Sequence, residues 1–310
     1  MHKLFLTLLA IFSVQIITAQ YTEIINSKRP GFSESPYSIG TNVYQFETGL
    51  FYRNSDNPIY SSPSNTYGGD LLFRYGKFSE KLEFDLNLAY QIDEISQHPN
   101  GHIKGISDLT IGAKYLIRQQ EYADRSKEIR SFKKRYAFDW KRLIPSVGVY
   151  AGVHTKFVSK DYKEDEISYK LALLLQNDFT DRLVVLTNLI NDNFSSDNSF
   201  YKYIVTMTYA IDQDWSFFIE NQGQYQEEFA PKYQFGTGLA YLINENLQID
   251  ASARTNFFDN YTYYYISTGV AWRLDRHYDT FTIKNTPKKT IGKKKKRKGF
   301  FGRLFGKKRN

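Results

Sequence analysis

The chain has 310 residues, no cysteine, 25 Tyr and 24 Phe, and a formal net charge of +8. The lack of cysteine excludes disulfides, thiolate metal ligands, thiol nucleophiles and a lipidated N-terminal Cys. The charge does not mark a nucleic-acid binder: 13 of the 41 Lys and Arg lie between Thr280 and Asn310, where there is no acid, and with Lys3 also set aside the remaining 27 bases face 33 acids.

Behind His2 and Lys3 the chain is apolar from Leu4 to Ile17 and reaches the small residue Ala19 before Gln20. This is the pattern of a secretory signal peptide, residues 1–19, cleaved after Ala19. Those 14 apolar residues fall short of the ~20 that a spanning helix needs, which weakens the competing reading of an uncleaved anchor. Residues 20–42 then carry Pro30, Gly31, Pro36 and Gly40 among Ser and Asn, so an extended, irregular leader is expected.

From Val43 the pattern changes to period two. In Lys81 to Gln91, KLEFDLNLAYQ, the residues Leu82, Phe84, Leu86, Leu88 and Tyr90 fall on one face, and Glu83, Asp85, Asn87, Ala89 and Gln91 on the other. Twelve such segments are expected: 43–53, 67–76, 81–92, 106–118, 144–157, 167–179, 183–194, 200–211, 215–225, 233–243, 247–257 and 263–274. Most have nine or more residues, enough to cross a bilayer when tilted, whereas soluble strands average about five or six. Segments 167–179 and 183–194 are partly apolar on both faces and leave inside and outside undecided. The short connections 77–80, 180–182, 212–214 and 244–246 all fall on the side of the termini, and the alternate connections are mostly longer. One exception, 119–143, is long, basic and aromatic; a solvated insertion, a docking element and a short helix are all open there.

These features predict an all-β, transmembrane antiparallel up-and-down barrel of about twelve strands over 43–274, in the bacterial outer membrane with periplasmic termini. A soluble sandwich would bury the greasy face against a second sheet, but the other face is too charged for a core, and aromatics are abundant enough for two girdles. The mean hydropathy of −0.51 is no objection, since half of every barrel strand is polar. The closing strand should end near Leu274, leaving 275–310 as a basic periplasmic tail.

The expected lumen-lining residues are Gln45, Glu47, Asp70, Arg74, Glu83, Asp85, Asp108, Lys114, His154, Lys156, Lys170, Lys202, Glu220, Gln222, Asp250, Arg254 and Arg273. Paired charges could form a ladder that stiffens the interior, or a polar constriction that filters solutes by charge and size. Gly49 leaves room for a close neighbour. Arg29, upstream of the barrel, either folds back into the lumen to pair with an acid or stays in a plain periplasmic leader. No Ser, His and carboxylate constellation stands out, so no enzyme and no cofactor are expected. His154 is the one histidine inside an expected strand; His98 and His102 sit in a Gly/Pro loop without a third ligand, so no metal site is expected either. Gly236 and Gly238 lie within a strand with no helix after them and do not make a phosphate loop.

Residues Arg29 to Tyr52, RPGFSESPYSIGTNVYQFETGLFY, with Gly105 to Leu109 and Ile111 to Tyr115, resemble the outer-membrane barrel family named for the meta-pathway of phenol degradation. The resemblance covers the first two fifths of the chain. It implies an outer-membrane channel or importer for small molecules, hydrophobic or aromatic ones among them; a structural or binding barrel with a closed lumen is the alternative. The expected partners are outer-membrane lipid and a small-molecule solute, with no nucleic acid. The tail, KKKKRKGFFGRLFGKKRN, could meet anionic lipid or a cell-wall polymer, or have no partner.

Overall fold

The computed structural model describes residues 24–57, 62–95, 100–122, 138–163, 166–227, 229–256 and 263–277. The expected signal peptide, His98, most of the 119–143 insertion and the tail beyond residue 277 lie outside the described residues. Twelve strands follow one another: β1 (Val43–Asn57), β2 (Ser62–Gly76), β3 (Leu82–Ile95), β4 (His102–Arg118), β5 (Ser146–His154), β6 (Ser168–Asp178), β7 (Leu183–Phe194), β8 (Phe200–Ala210), β9 (Trp215–Gln226), β10 (Lys232–Asn244), β11 (Leu247–Thr255) and β12 (Tyr263–Asp275). Each pairs antiparallel with its chain neighbours, and β12 closes on β1. Closure leaves no sheet edge, which is what lets strands stand in lipid. The even count returns the chain to the end where β1 starts, called the terminal end below; the opposite end is the far end.

Alternation decides which way each side chain points. On β3, Glu83, Asp85 and Asp93 are buried inside while Phe84, Tyr90 and Ile92 are exposed on the outer surface. The outer aromatics gather at two levels. Near the terminal end, Tyr44 stacks on Tyr75 and Trp215 lies against Tyr241; near the far end, Tyr52 meets Tyr67 and Tyr225 meets Tyr233. Two such girdles around an apolar band are the mark of a membrane barrel.

The two undecided segments resolve. Leu174, Asn188 and Ile204 are buried on the inner face, while Leu171, Leu173 and Leu189 face outward. The ambiguity has a physical cause: the inner wall is itself apolar here. Strands β1 to β4 also run further towards the far end than the residue pattern indicates. There the β1–β2 ladder continues through Asn54 paired with Asn65, and Tyr52 Oη and Asn54 Nδ2 both donate to Asn65 Oδ1. Beyond the apolar band both faces are wet, so period two disappears although the ladder continues. His102 is therefore in a strand, against expectation. Conversely, β5 stops at His154 and not 157, because the chain folds back on β4: Thr155 N–H donates to Leu109 O and Ser159 N–H to Ile106 O. Ser159 Oγ sits where a Cβ on Gly105 would be, and Gly105 has φ +146, so this contact needs glycine.

In the 119–143 connection, Trp140–Leu143 form one 3-10 turn. Arg142 ties it to the barrel, donating to Asp178 O and Asp181 and lying 4.9 Å from the Tyr122 ring.

Candidate functional site in the lumen

Residues 24–42 contain no strand or helix, and they run inside the barrel. Groups of the wall hold this leader at many points along its length. Ile25 N–H donates to Glu245 O at the terminal end. The Asn26 carbonyl accepts from Gln45 Nε2 and Arg74 Nη1, and Glu47 Oε2 accepts from Ser27 Oγ and from the backbone N–H of Lys28. Farther along, Glu220 accepts from Phe32 N–H, and Asn188 exchanges two hydrogen bonds with the Glu34 backbone. Ser35 Oγ donates to Gln176, Tyr37 Oη bonds Ser146 Oγ, and Ile39 N–H donates to Glu83. An irregular segment cannot satisfy its own amides, so wall carboxylates and carboxamides do it.

Arg29 is anchored by two acids of the wall. Its Nη1 lies 3.1 Å from Asp70 Oδ2, and its Nη2 lies 3.2 Å from Asp250 Oδ1, an ion-pair contact poorly aligned for a hydrogen bond. The guanidinium rests on two glycines that face each other across the β1–β12 ladder. A Cβ on Gly49 would stand 2.4 Å from it, and one on Gly269 would stand 2.2 Å from Nε. Any larger residue at either position meets the arginine head-on.

Around this anchor the charges pair off. Arg74 makes a two-pronged contact with Glu83, at 2.6 and 3.0 Å, and reaches Glu47 at 3.1 Å. Lys114 bridges Glu34 of the leader at 3.0 Å and Glu83 at 3.2 Å. Arg254 pairs with Glu220 and places its guanidinium carbon 3.4 Å from the centre of the Phe32 ring. Buried charges need such partners, because an unpaired one is far costlier than a satisfied pair. Asp85 accepts from Tyr150 Oη, which itself covers Gly112. Gln222 donates to Gln234, and Arg273 donates to Asn246 at the terminal end.

A second cluster sits near the far end. His154 lies between two carboxylates, Nδ1 at 3.3 Å from Asp108 and Nε2 at 2.7 Å from Asp192, and Lys170 reaches the other oxygen of Asp192 at 3.4 Å. His154, Asp108 and Asp192 border a cavity of about 220 Å³ that Lys156, Tyr162, Glu166 and Phe200 also line. The described residues contain no group of three or more His, Cys, Asp or Glu placed to hold a metal.

Of the lumen candidates read from the sequence, all but Lys156 face inward from a strand; Lys156 is exposed in the connection that follows β5, because that strand ends at His154, and the structure brings most of the others together around the leader. Sequence reasoning missed the leader's own contributors, Phe32, Glu34 and Tyr37, and the wall residues Asn188, Asp192 and Gly269. A lone polar Asn or Asp on the inner side of an otherwise apolar strand was the available signal for Asn188 and Asp192.

The leader does not fill the lumen. Between it and the wall from β6 to β11 lies a cavity of about 240 Å³, lined by residues 25–31 and 33 of the leader and by Val184, Thr206, Thr208, Ser216, Phe218, Ala240 and Gln248. Its wall side is made of small, hydroxylated or uncharged residues.

Residues 27–274 match the family model described as "Putative MetA-pathway of phenol degradation". Among solved structures the chain is similar to the COG4313 outer membrane channel from Pseudomonas putida F1, with 11% identity and a TM-score of 0.59 over 81% of this chain and 100% of that one. It is also similar to the NanC porin, with 12% identity and a TM-score of 0.50 over 74% of this chain and 100% of that one. At such identities the likeness speaks to the fold. No curated protein matches the chain.

Proposed function

This chain belongs to the family of outer-membrane barrels described for the MetA pathway of phenol degradation, and from that premise we propose that it is a channel for small molecules, hydrophobic or aromatic ones among them. The observation that carries the reading is the cavity of about 240 Å³ between the pinned leader and the β6–β11 wall. Pockets that hold drug-sized ligands run to about 300–1,000 Å³, so this space suits a smaller solute, of the order of one ring. Phe218, Val184 and Ala240 offer apolar contact, while Thr206, Thr208, Ser216 and Gln248 can hydrogen-bond a hydroxyl. Nothing there binds tightly, as a conduit requires: a solute must be able to leave. The similar solved structure from Pseudomonas putida is itself an outer membrane channel.

In this reading the terminal end faces the periplasm, because bacterial barrels put short turns on that side. The basic tail then lies where anionic head groups and cell-wall polymer are the available partners. The leader is the narrowing element, and the polar wall that holds it is the frame of the pore.

A planar-bilayer recording of the purified, heat-modifiable barrel tests the proposal. Stable conductance steps are expected. Electrical silence in a correctly folded protein would favour the second reading, a closed structural or binding barrel, which the leader's dense anchoring also suits.

A further inference from the structure

Lys202 is a cation that the ion-pair network of the described residues leaves over. It is the third residue of β8 from the far end and points into the lumen, partly exposed there. Among the described residues its side chain makes no hydrogen bond or ion pair. The charged groups acting on it are Lys170, Glu220, Arg254 and Asp192. Both acids are already engaged, Glu220 by Arg254 and Asp192 by His154 and Lys170. With Lys202, Lys170, Arg254, Glu220 and Asp192 all ionised, the cations outnumber the acids by one. Its one specific contact is aromatic: Nζ lies 5.4 Å from the centre of the Phe32 ring, whose edge meets Tyr265.

A cavity begins one inward-facing residue along β8 from it, at Phe200. Ile190, the cross-strand partner of Lys202, is one inward step from Asp192, whose own partner is Phe200. Asp192 and Phe200 both line the far-end cavity of about 220 Å³. Along β8 from the far end, Phe200 at this cavity precedes Lys202, and Thr206 and Thr208 at the leader's cavity follow it. An unpaired ammonium in a confined, partly dehydrated space attracts anions more strongly than one in open water. With Phe200 and Phe32 on either hand, the complement is a flat ring carrying one negative charge.

We propose that Lys202 is a recognition point for small aromatic carboxylates entering from the far end. The inference deepens the channel reading and rests on it: the same passage takes a ring, and Lys202 adds a preference for an anionic one. The acids nearby do not oppose this, because His154 neutralises the Asp108–Asp192 pair at close range and Lys170 completes Asp192.

The test is calorimetric titration of the detergent-solubilised full-length barrel with benzoate, acetate and benzyl alcohol, which separates charge from ring. Benzoate should bind more tightly than either of the others. A charge-assisted contact contributes about 1.5–3 kcal/mol, so Lys202→Gln should weaken benzoate by about tenfold or more. Benzyl alcohol should be unaffected, and Lys202→Arg should retain most of the benzoate affinity. Benzoate binding that is no stronger than that of acetate in the wild-type protein overturns the inference without any variant, as does equal benzoate affinity in wild type and a folded Lys202→Gln. The bilayer recording reads the channel proposal separately: a silent barrel that still prefers benzoate through Lys202 supports the recognition point and sinks the passage.

Discussion

The two sides of the lumen wall are built on opposite principles. On β1 to β4 and β11, the residues Glu47, Arg74, Glu83, Lys114 and Asp250 are buried and Asp70 partly so, and all are matched one to another or to the leader. From β6 to β10 the inner face has fewer charges, Lys170, Asp192, Lys202 and Glu220 among them, and the cavity runs along Val184, Thr206, Thr208, Ser216, Phe218 and Ala240. The difference teaches which residues to suspect of transport. A dense charged wall looks like a filter, yet its charges are consumed in holding a segment that has no secondary structure of its own. The plainer wall leaves the room.

The sharpest way to break this contrast is to remove the leader's anchor. Arg29→Ala leaves Asp70 and Asp250 without the cation between them, and losing one partner of a buried pair costs about 3–5 kcal/mol. Unfolding in urea should show that loss, and single-channel conductance should rise as the leader loosens. Unchanged conductance with reduced stability would mean that the leader does not narrow the pore.

The outer surface supplies the next test, on the strand whose inner face belongs to the charged wall. Leu86 points outward from the middle of β3, next to inward Asp85. Leu86→Arg places a charge in lipid and should cost roughly 2–4 kcal/mol in a folding titration, whereas Asp85→Asn should chiefly alter ion preference. The reverse ranking would shift the register by one residue.

How far the sequence discloses this architecture depends on what each segment faces. All twelve strands are legible because lipid on one side and polar surface on the other impose period two; Phe84 and Asp85 could not trade places. The signal fades at Asn54 and Asn65, where both faces are wet, and in β6 and β7, where Leu174 inside is as apolar as Leu173 outside. The leader's course is illegible for a different reason. It has no period, and its decisive contact joins Arg29 to Asp250, 221 residues away. Gly49 was a visible hint of a close neighbour, but its identity required the fold, as did the matching Gly269 across the ladder.

The mildest change should be on the plain wall. Thr208 faces the cavity from β8 near the terminal end, is only partly buried, and makes no hydrogen bond or ion pair among the described residues. Thr208→Phe therefore breaks no polar contact, and a substitution away from packed or paired groups usually changes stability by no more than about 0.5 kcal/mol. Its ring, however, would occupy a large part of the 240 Å³ between wall and leader. Flux of a neutral ring such as phenol into liposomes should fall by roughly half or more, as expected when a constriction narrows, while the urea midpoint barely moves. If flux is unchanged in a folded Thr208→Phe barrel, solute does not pass along the β6–β11 wall, and the charged side must be reconsidered as the path.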